Sequence, residues 1–268
     1  MKKLFKNLYW VFVLGFLYMP IFVMIAFSFN QSKSRTVWTG FTLKWYVELF
    51  RNEAIIKAFI VTLLVAVISA IVATVLGTVA AVGIDAMKNW EKSLVMNISY
   101  MPVVNPDIIT GISLLLLFNV FRQWFDFEFG FVTLLISHIT FNLPYVILSV
   151  MPKLKQMDYR VYEAALDLGC NPTQAFFKVV VPEILPGIIS GFLMALTFSI
   201  DDFIISYFNS GHAQTLPVAI YAMARRRVSP EMYALSTIMF LIILAVLLIV
   251  NFKSSREEKG RRINKEVK

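Results

Sequence analysis

Chemistry-bearing residues are scarce in this chain of 268 residues. It has one cysteine, Cys170, so no disulfide can form within it. Its two histidines, His138 and His212, stand in no spacing with acids or cysteine that resembles a metal site or a nucleophile–base pair. No Gly-x-x-x-x-Gly-Lys-Ser/Thr loop occurs, so the chain has no P-loop for nucleotide phosphates, and no metal ligand set or catalytic group is expected. Charge is scarce too. Only 16% of residues are charged while 58% are hydrophobic, which excludes an ordinary soluble domain. Low-complexity linkers and internal repeats are missing as well.

Long apolar runs are what the sequence has. Segments of about 20 residues, enough to cross a bilayer, fall at 9–29, 58–84, 94–120, 129–151, 184–208 and 233–252. The sequence therefore predicts an all-α membrane protein with six transmembrane helices in one domain over 1–252, followed by a charged tail over 253–268. Pro102, Pro106 and Gly111 interrupt the third run, Pro144 the fourth, Gly187 and Gly191 the fifth. Such breakers are tolerated where neighbouring helices or a water-filled cavity satisfy the freed backbone groups, so they argue for a bundle around a cavity. The first run follows Lys2, Lys3 and Lys6, but is too long for a signal peptide and lacks a small-x-small cleavage site, so it reads as an uncleaved span.

Six spans put both termini on one side. That side collects three basic residues before the first span, two at Lys88 and Lys92, four at Lys153, Lys155, Arg160 and Lys178, and seven in the tail. Only nine of the 25 lysines and arginines fall opposite, so the positive-inside rule predicts cytoplasmic termini. The net charge of +8 belongs to this asymmetry and needs no nucleic acid. Arg225, Arg226 and Arg227 resist the pattern in an outer segment; a solvated helix end is the first reading, a contact for an acidic extracytoplasmic partner the second. Trp38, Trp45 and Tyr46 suggest that residues 30–57 include an element lying at the membrane interface. Ala66, Ala70, Ala73, Gly77, Ala80 and Ala81, and the Gly187-x-x-x-Gly191 pair, permit close helix packing.

Acids at bilayer depth stand out, because an aspartate near a helix centre costs roughly 2.5–3.5 kcal/mol on insertion scales. The fifth run holds Ser199-Ile200-Asp201-Asp202, and Asp107 follows the Pro106 break. Adjacent aspartates on a helix project about 100° apart, so one is expected to face the pore and the other a neighbouring helix. No lysine or arginine lies inside a span away from its ends, so the cavity should be negative and suited to a cationic solute. Trp45 or Tyr207 could add cation–π contacts to an ammonium group. His138 and Asn142, at i and i+4, read first as interhelical hydrogen-bonding groups and second as substrate contacts.

Between the fourth and fifth runs lies a polar segment that predicts two short helices. Asp158 is placed to cap the first and Gly169 to end it in a left-handed conformation; Asn171 caps the second, with Pro172 at its first position. Glu163-Ala164-Ala165, three residues, Gly169, nine residues and Val179-Val180-Val181-Pro182 resemble the "EAA" loop of binding-protein-dependent ABC importer permeases. Val179 and Val181 replace the usual Ile and Leu before the proline. Gly40–Tyr46, Ser137–Phe141, Ser199–Asp202, Leu216-Pro217, Ile220–Met223 and Val228–Glu231 are similar to the PotC-like, spermidine/putrescine branch, over about residues 8–250.

The resemblance implies a type I (MetI-like) importer permease fold in a bacterial cytoplasmic membrane, with 153–183 as the cytoplasmic coupling loop. It implies a pore shared with a second, PotB-like permease, driven by a PotA-like ATPase dimer that uses ATP and magnesium, and fed by a PotD-like binding protein. Glu163, Ala164, Ala165, Gly169 and Pro182 would couple to the ATPase. Asp201, Asp202, Asp107, Ser199 and Trp45 would line the substrate path. An ion-coupled secondary carrier using Asp201, Asp202 and His138, and an ABC permease for another organic cation or an aminophosphonate, are the alternatives.

Overall fold

The computed structural model describes residues 2–32, 37–226, 230–245 and 248. Among these the regular structure is helical, and the backbone forms two compact units.

The larger unit covers Phe59–Pro217 and Leu248 among the described residues. It contains most of α3 (Glu53–Asp85), then α4 (Asn89–Val104), α5 (Asp107–Arg122), α6 (Phe131–Gln156), α7 (Tyr159–Asp167), α8 (Pro172–Ala175), α9 (Val181–Asp201) and α10 (Ile204–Asn209). Its core joins Ala70, Ala73, Ala81 and Ile84 of α3 to Val146, Ile147, Val150, Met151 and Leu154 of α6, and to Ile184 and Ala195 of α9. Small residues set these distances. A Cβ on Gly77 would stand 2.7 Å from a Val146 methyl, and one on Gly187 would stand 2.9 Å from the Ser149 carbonyl oxygen. Helices α3 and α9 therefore approach α6 along glycine and alanine faces, the packing that small residues allow in a bilayer.

Two of the expected spans are broken. The run 94–120 is not one rod: α4 and α5 meet at 104°. Pro106 causes this, because its ring drives Asn105 to extended backbone (φ −73°, ψ 143°) and it offers no N–H to continue the helix. The run 184–208 is also split. Helix α9 ends at Asp201, Asp202 turns to extended backbone (φ −64°, ψ 121°), and α10 begins at Ile204. Pro144, by contrast, lies within an uninterrupted α6. Among the described residues, four helices are long and apolar enough to cross a membrane, or five if the bent pair counts as one span. Of the sixth run, helix Pro230–Ala245 is described, and most of 246–252 lies outside the described residues. The 253–268 tail lies outside them as well.

The smaller unit covers residues up to Ala58 together with Val218–Ala245. Its first helix, α1 (Lys2–Ser28), carries an apolar stretch from Tyr9 of which only 6% is buried, so lipid or another chain must cover it. Asn30, 1% exposed, organises the following turn: its side chain donates to the Val37 carbonyl (2.9 Å) and accepts from the Thr39 N–H (3.0 Å). Helix α2 (Lys44–Arg51) is short and two-faced, burying Trp45 and Leu49. Helix α11 (Leu216–Arg226) bridges the units in sequence, and Arg225 lies over the Tyr221 ring at 5.9 Å. The Arg226 side chain and Arg227 lie outside the described residues.

Candidate substrate cavity and coupling loop

The loop between α6 and α9 folds as its sequence dictates at the first helix. Asp158 caps α7, its carboxylate accepting from the Arg160 N–H (3.0 Å). At the other end Gly169 has φ +86°. The Cys170 N–H donates to the Ala165 carbonyl (3.1 Å) and the Gly169 N–H to the Leu166 carbonyl (2.9 Å), the paired bonds of a Schellman motif. Asn171 then caps α8, accepting from the Gln174 N–H (2.8 Å), with Pro172 at the first position. The second short helix does not stop there. A π-helical stretch, Phe176–Val180, joins α8 to α9, and Pro172–Asp201 continues for 30 residues. The missing N–H of Pro182 removes one α-helical bond from this junction, where the register changes.

Glu163, Ala164, Gly169 and Pro182 are exposed and Ala165 is half-buried. No residue of α7 is buried. Leu168 is 87% exposed and Phe177 63% exposed, so the loop presents apolar side chains as well as charge.

The acids gather elsewhere, around a cavity of about 300 Å³ lined by Asp107, Phe141, Phe198, Asp201, Asp202, Phe203 and Ile204. Both helix breaks supply it. Asp107 stands in the first turn of α5, just after the Pro106 bend, and Asp201 closes α9. Phe198 and Asp201 are three residues apart, one above the other on the same helix face. Phe198 meets Tyr145 (centroids 4.6 Å) and Phe141 (6.4 Å), so the apolar wall is an aromatic cluster. No lining residue is basic.

The two aspartates are not neighbours on one helix, as the sequence suggested, because the chain turns between them. Asp201 is exposed to the cavity, and no hydrogen bond or ion pair to its carboxylate is seen among the described residues. The Asp202 carboxylate instead accepts from the backbone N–H groups of Ile205 (3.1 Å) and Ser206 (2.7 Å), capping α10. It also lies 3.5 Å from Nε2 of the buried His138. The His138 ring bridges both sides of the break: Nδ1 meets the Ser199 hydroxyl at 2.6 Å and Nε2 the Ser206 hydroxyl at 3.1 Å. Ser69 of α3 meets Ser199 (3.1 Å) and accepts from the Asn142 amide (3.5 Å). His138 and Asn142 are thus interhelical ties, as their spacing suggested.

Ser199 belongs to this buried network and does not line the cavity. Trp45 does not line it either: its indole is 3% exposed and donates to the Asn30 carbonyl (2.7 Å) in the smaller unit. Sequence reasoning missed Phe141, Phe198 and Phe203. The available signal was helical spacing, which places Phe198 beneath Asp201.

The putrescine transport system permease protein PotI of Escherichia coli (strain K12) is 38% identical over 94% of this chain and 92% of its own length. The spermidine/putrescine transport system permease protein PotC of Haemophilus influenzae is 35% identical over 91% of this chain and 94% of its own. Among solved structures, a bacterial ABC transporter involved in the import of the acidic polysaccharide alginate has the same fold (TM-score 0.73, 18% identity), covering 95% of this chain and 94% of that one. The MetNI methionine ABC transporter, in inward-facing conformations, covers 78% and 98% (TM-score 0.56, 15% identity). Residues 73–254 match the family of binding-protein-dependent transport system inner membrane components, and the chain belongs to that family.

Proposed function

We propose that this chain is a permease subunit of an ATP-driven importer that moves polyamines such as spermidine and putrescine across the cytoplasmic membrane. The observation that carries the reading is the cavity, which sets three carboxylates beside an aromatic wall and no basic residue. Ammonium groups on a flexible methylene chain match that lining. Carboxylates attract each charge in a site of reduced dielectric, aromatic faces add cation–π attraction, and the methylenes lie against the phenylalanines. The permease relatives named above for putrescine and spermidine support the same substrate class. The alginate importer shares only the fold, and an acidic polysaccharide would be repelled by this lining.

In this reading Asp201 and Asp107 hold the passing cation, and Asp202 keeps the broken helix in shape. Helices α7 and α8 dock on a separate ATPase dimer, which binds ATP and magnesium; this chain binds neither and catalyses no reaction. Glu163, Ala164 and Ala165 form the docking face, Gly169 fixes its turn, and Pro182 marks the junction to α9. A second permease subunit completes the pore and covers apolar helices such as α1, and an extracytoplasmic binding protein delivers the substrate. The termini lie in the cytoplasm, on the side where the basic residues collect.

The test is uptake of labelled spermidine in cells lacking their own polyamine importers, with the chain expressed alone and with its ATPase, second permease and binding protein. Uptake only with the partners, inhibited by unlabelled putrescine, is expected. An assembled, ATP-hydrolysing complex that takes up neither polyamine would overturn the substrate assignment.

A further inference from the structure

Asp85, the last residue of α3, is shared between two elements that are distant in sequence. One carboxylate oxygen is paired with Lys92 of α4, and the other accepts a hydrogen bond from the Tyr159 phenol at 2.9 Å. Asp85 and Lys92 have side-chain exposures of 9% and 21%, so solvent screens this pair less than an ordinary surface pair. Tyr159 is the first residue of α7. Burial, and then the hydrogen bond to Asp85, push its phenol above the ordinary value of 10.0, so it stays protonated and donating at any physiological pH.

The rest of α7 is held lightly. It buries no residue, and Tyr162 is only partly buried against the core. Helix α4, by contrast, is firmly started: the Lys88 N–H donates to the Glu91 carboxylate (3.2 Å) and the Lys92 N–H to the Lys88 carbonyl (2.8 Å). From Lys92 the helix runs to the bend at Asn105 and Pro106, and the next residue is Asp107, in the cavity wall. The stretch Lys92–Val104 makes a rod of about 20 Å. A displacement of α7 therefore has a direct mechanical route to one cavity carboxylate.

We propose that Tyr159, Asp85 and Lys92 form a latch that passes movement of the coupling helix α7 into α4, and so to Asp107 in the cavity. All three are positioning residues, acting on the solute path through α4. The proposal rests on the reading of α7 and α8 as the ATPase dock, but not on the identity of the solute. It also places the end of α3, the start of α4 and α7 on one face of the membrane, where Lys88, Lys92 and Arg160 lie together in sequence-derived topology.

The experiment uses the complete complex in proteoliposomes, reading solute moved, ATP hydrolysed and ATPase retained on the permease. Tyr159→Phe removes one oxygen from a half-exposed ring and leaves the fold intact. It should keep the ATPase bound and hydrolysing, while solute moved per ATP falls about fivefold, the size of effect one lost hydrogen bond allows. Asp85→Ala should fall further, and the double variant should be no worse than Asp85→Ala alone. Tyr159→Phe with wild-type coupling, or additive losses in the double variant, would overturn the latch; if Asp85→Ala does not assemble, Tyr159→Phe alone decides. A wild-type chain that retains no ATPase would overturn the dock reading itself, which separates the two failures.

Discussion

Nε2 of His138 lies 3.5 Å from the Asp202 carboxylate, and its ring joins the serines on either side of the break in the fifth span. The chain breaks there with no proline or glycine, because Asp202 supplies the acceptors that the interrupted helix withdraws. A side chain that bonds backbone N–H groups offers the chain an alternative to the helical ladder. The break exposes Asp201 to the cavity, which a continuous helix carrying both acids would not do in the same way.

Asp202→Asn and Asp202→Ala should therefore behave differently. Asparagine keeps one of the two acceptor oxygens and sets its NH2 against the other N–H, so Asp202→Asn should hold α10 less firmly than wild type but better than Asp202→Ala, with uptake between the two. Alanine removes the cap, which costs about 1 kcal/mol and leaves buried N–H groups unpaired, so Asp202→Ala should lower thermal stability and uptake together. Uptake by purified, equally assembled variants, beside their melting temperatures, checks this. An Asp202→Asn protein with a strongly raised KM would make Asp202 a substrate ligand instead of a cap.

Gly169→Val should uncouple transport from hydrolysis. No atom lies within 4 Å of an added Cβ, so the cost is confined to the backbone at φ +86°. A β-branched residue in that region costs on the order of 1–2 kcal/mol and should loosen the Schellman bonds that fix α7 against α8. ATPase activity and uptake measured in the same vesicles should diverge, with hydrolysis persisting. Equal coupling in wild type and variant would remove Gly169 from the docking turn.

Much of this architecture was legible in the sequence because each feature rests on local rules. Asp158, Gly169, Asn171 and Pro172 stand where capping chemistry puts them, and the Pro106 break has a backbone cause. The small-residue faces at Ala70, Ala73, Gly77 and Gly187 were readable for the same reason. The break at Asp202 was not, since apolar composition runs straight through it and the tie to His138 comes from more than sixty residues away. The Trp45 contact was not legible either: an aromatic beside a polar segment can serve a solute or a turn, and its bond to the Asn30 carbonyl leaves no local pattern. The tie from Asp85 to Tyr159 spans 74 residues and leaves no pattern in either segment.

The most direct test of the cationic cavity is the KM for ATP-driven spermidine uptake by Asp201→Asn in proteoliposomes holding the whole complex. With the exposed carboxylate neutralised, KM should rise about tenfold at similar assembly and ATPase activity, equivalent to about 1.4 kcal/mol of lost attraction. An unchanged KM, with uptake intact, would contradict the account and place the cation's path away from Asp201.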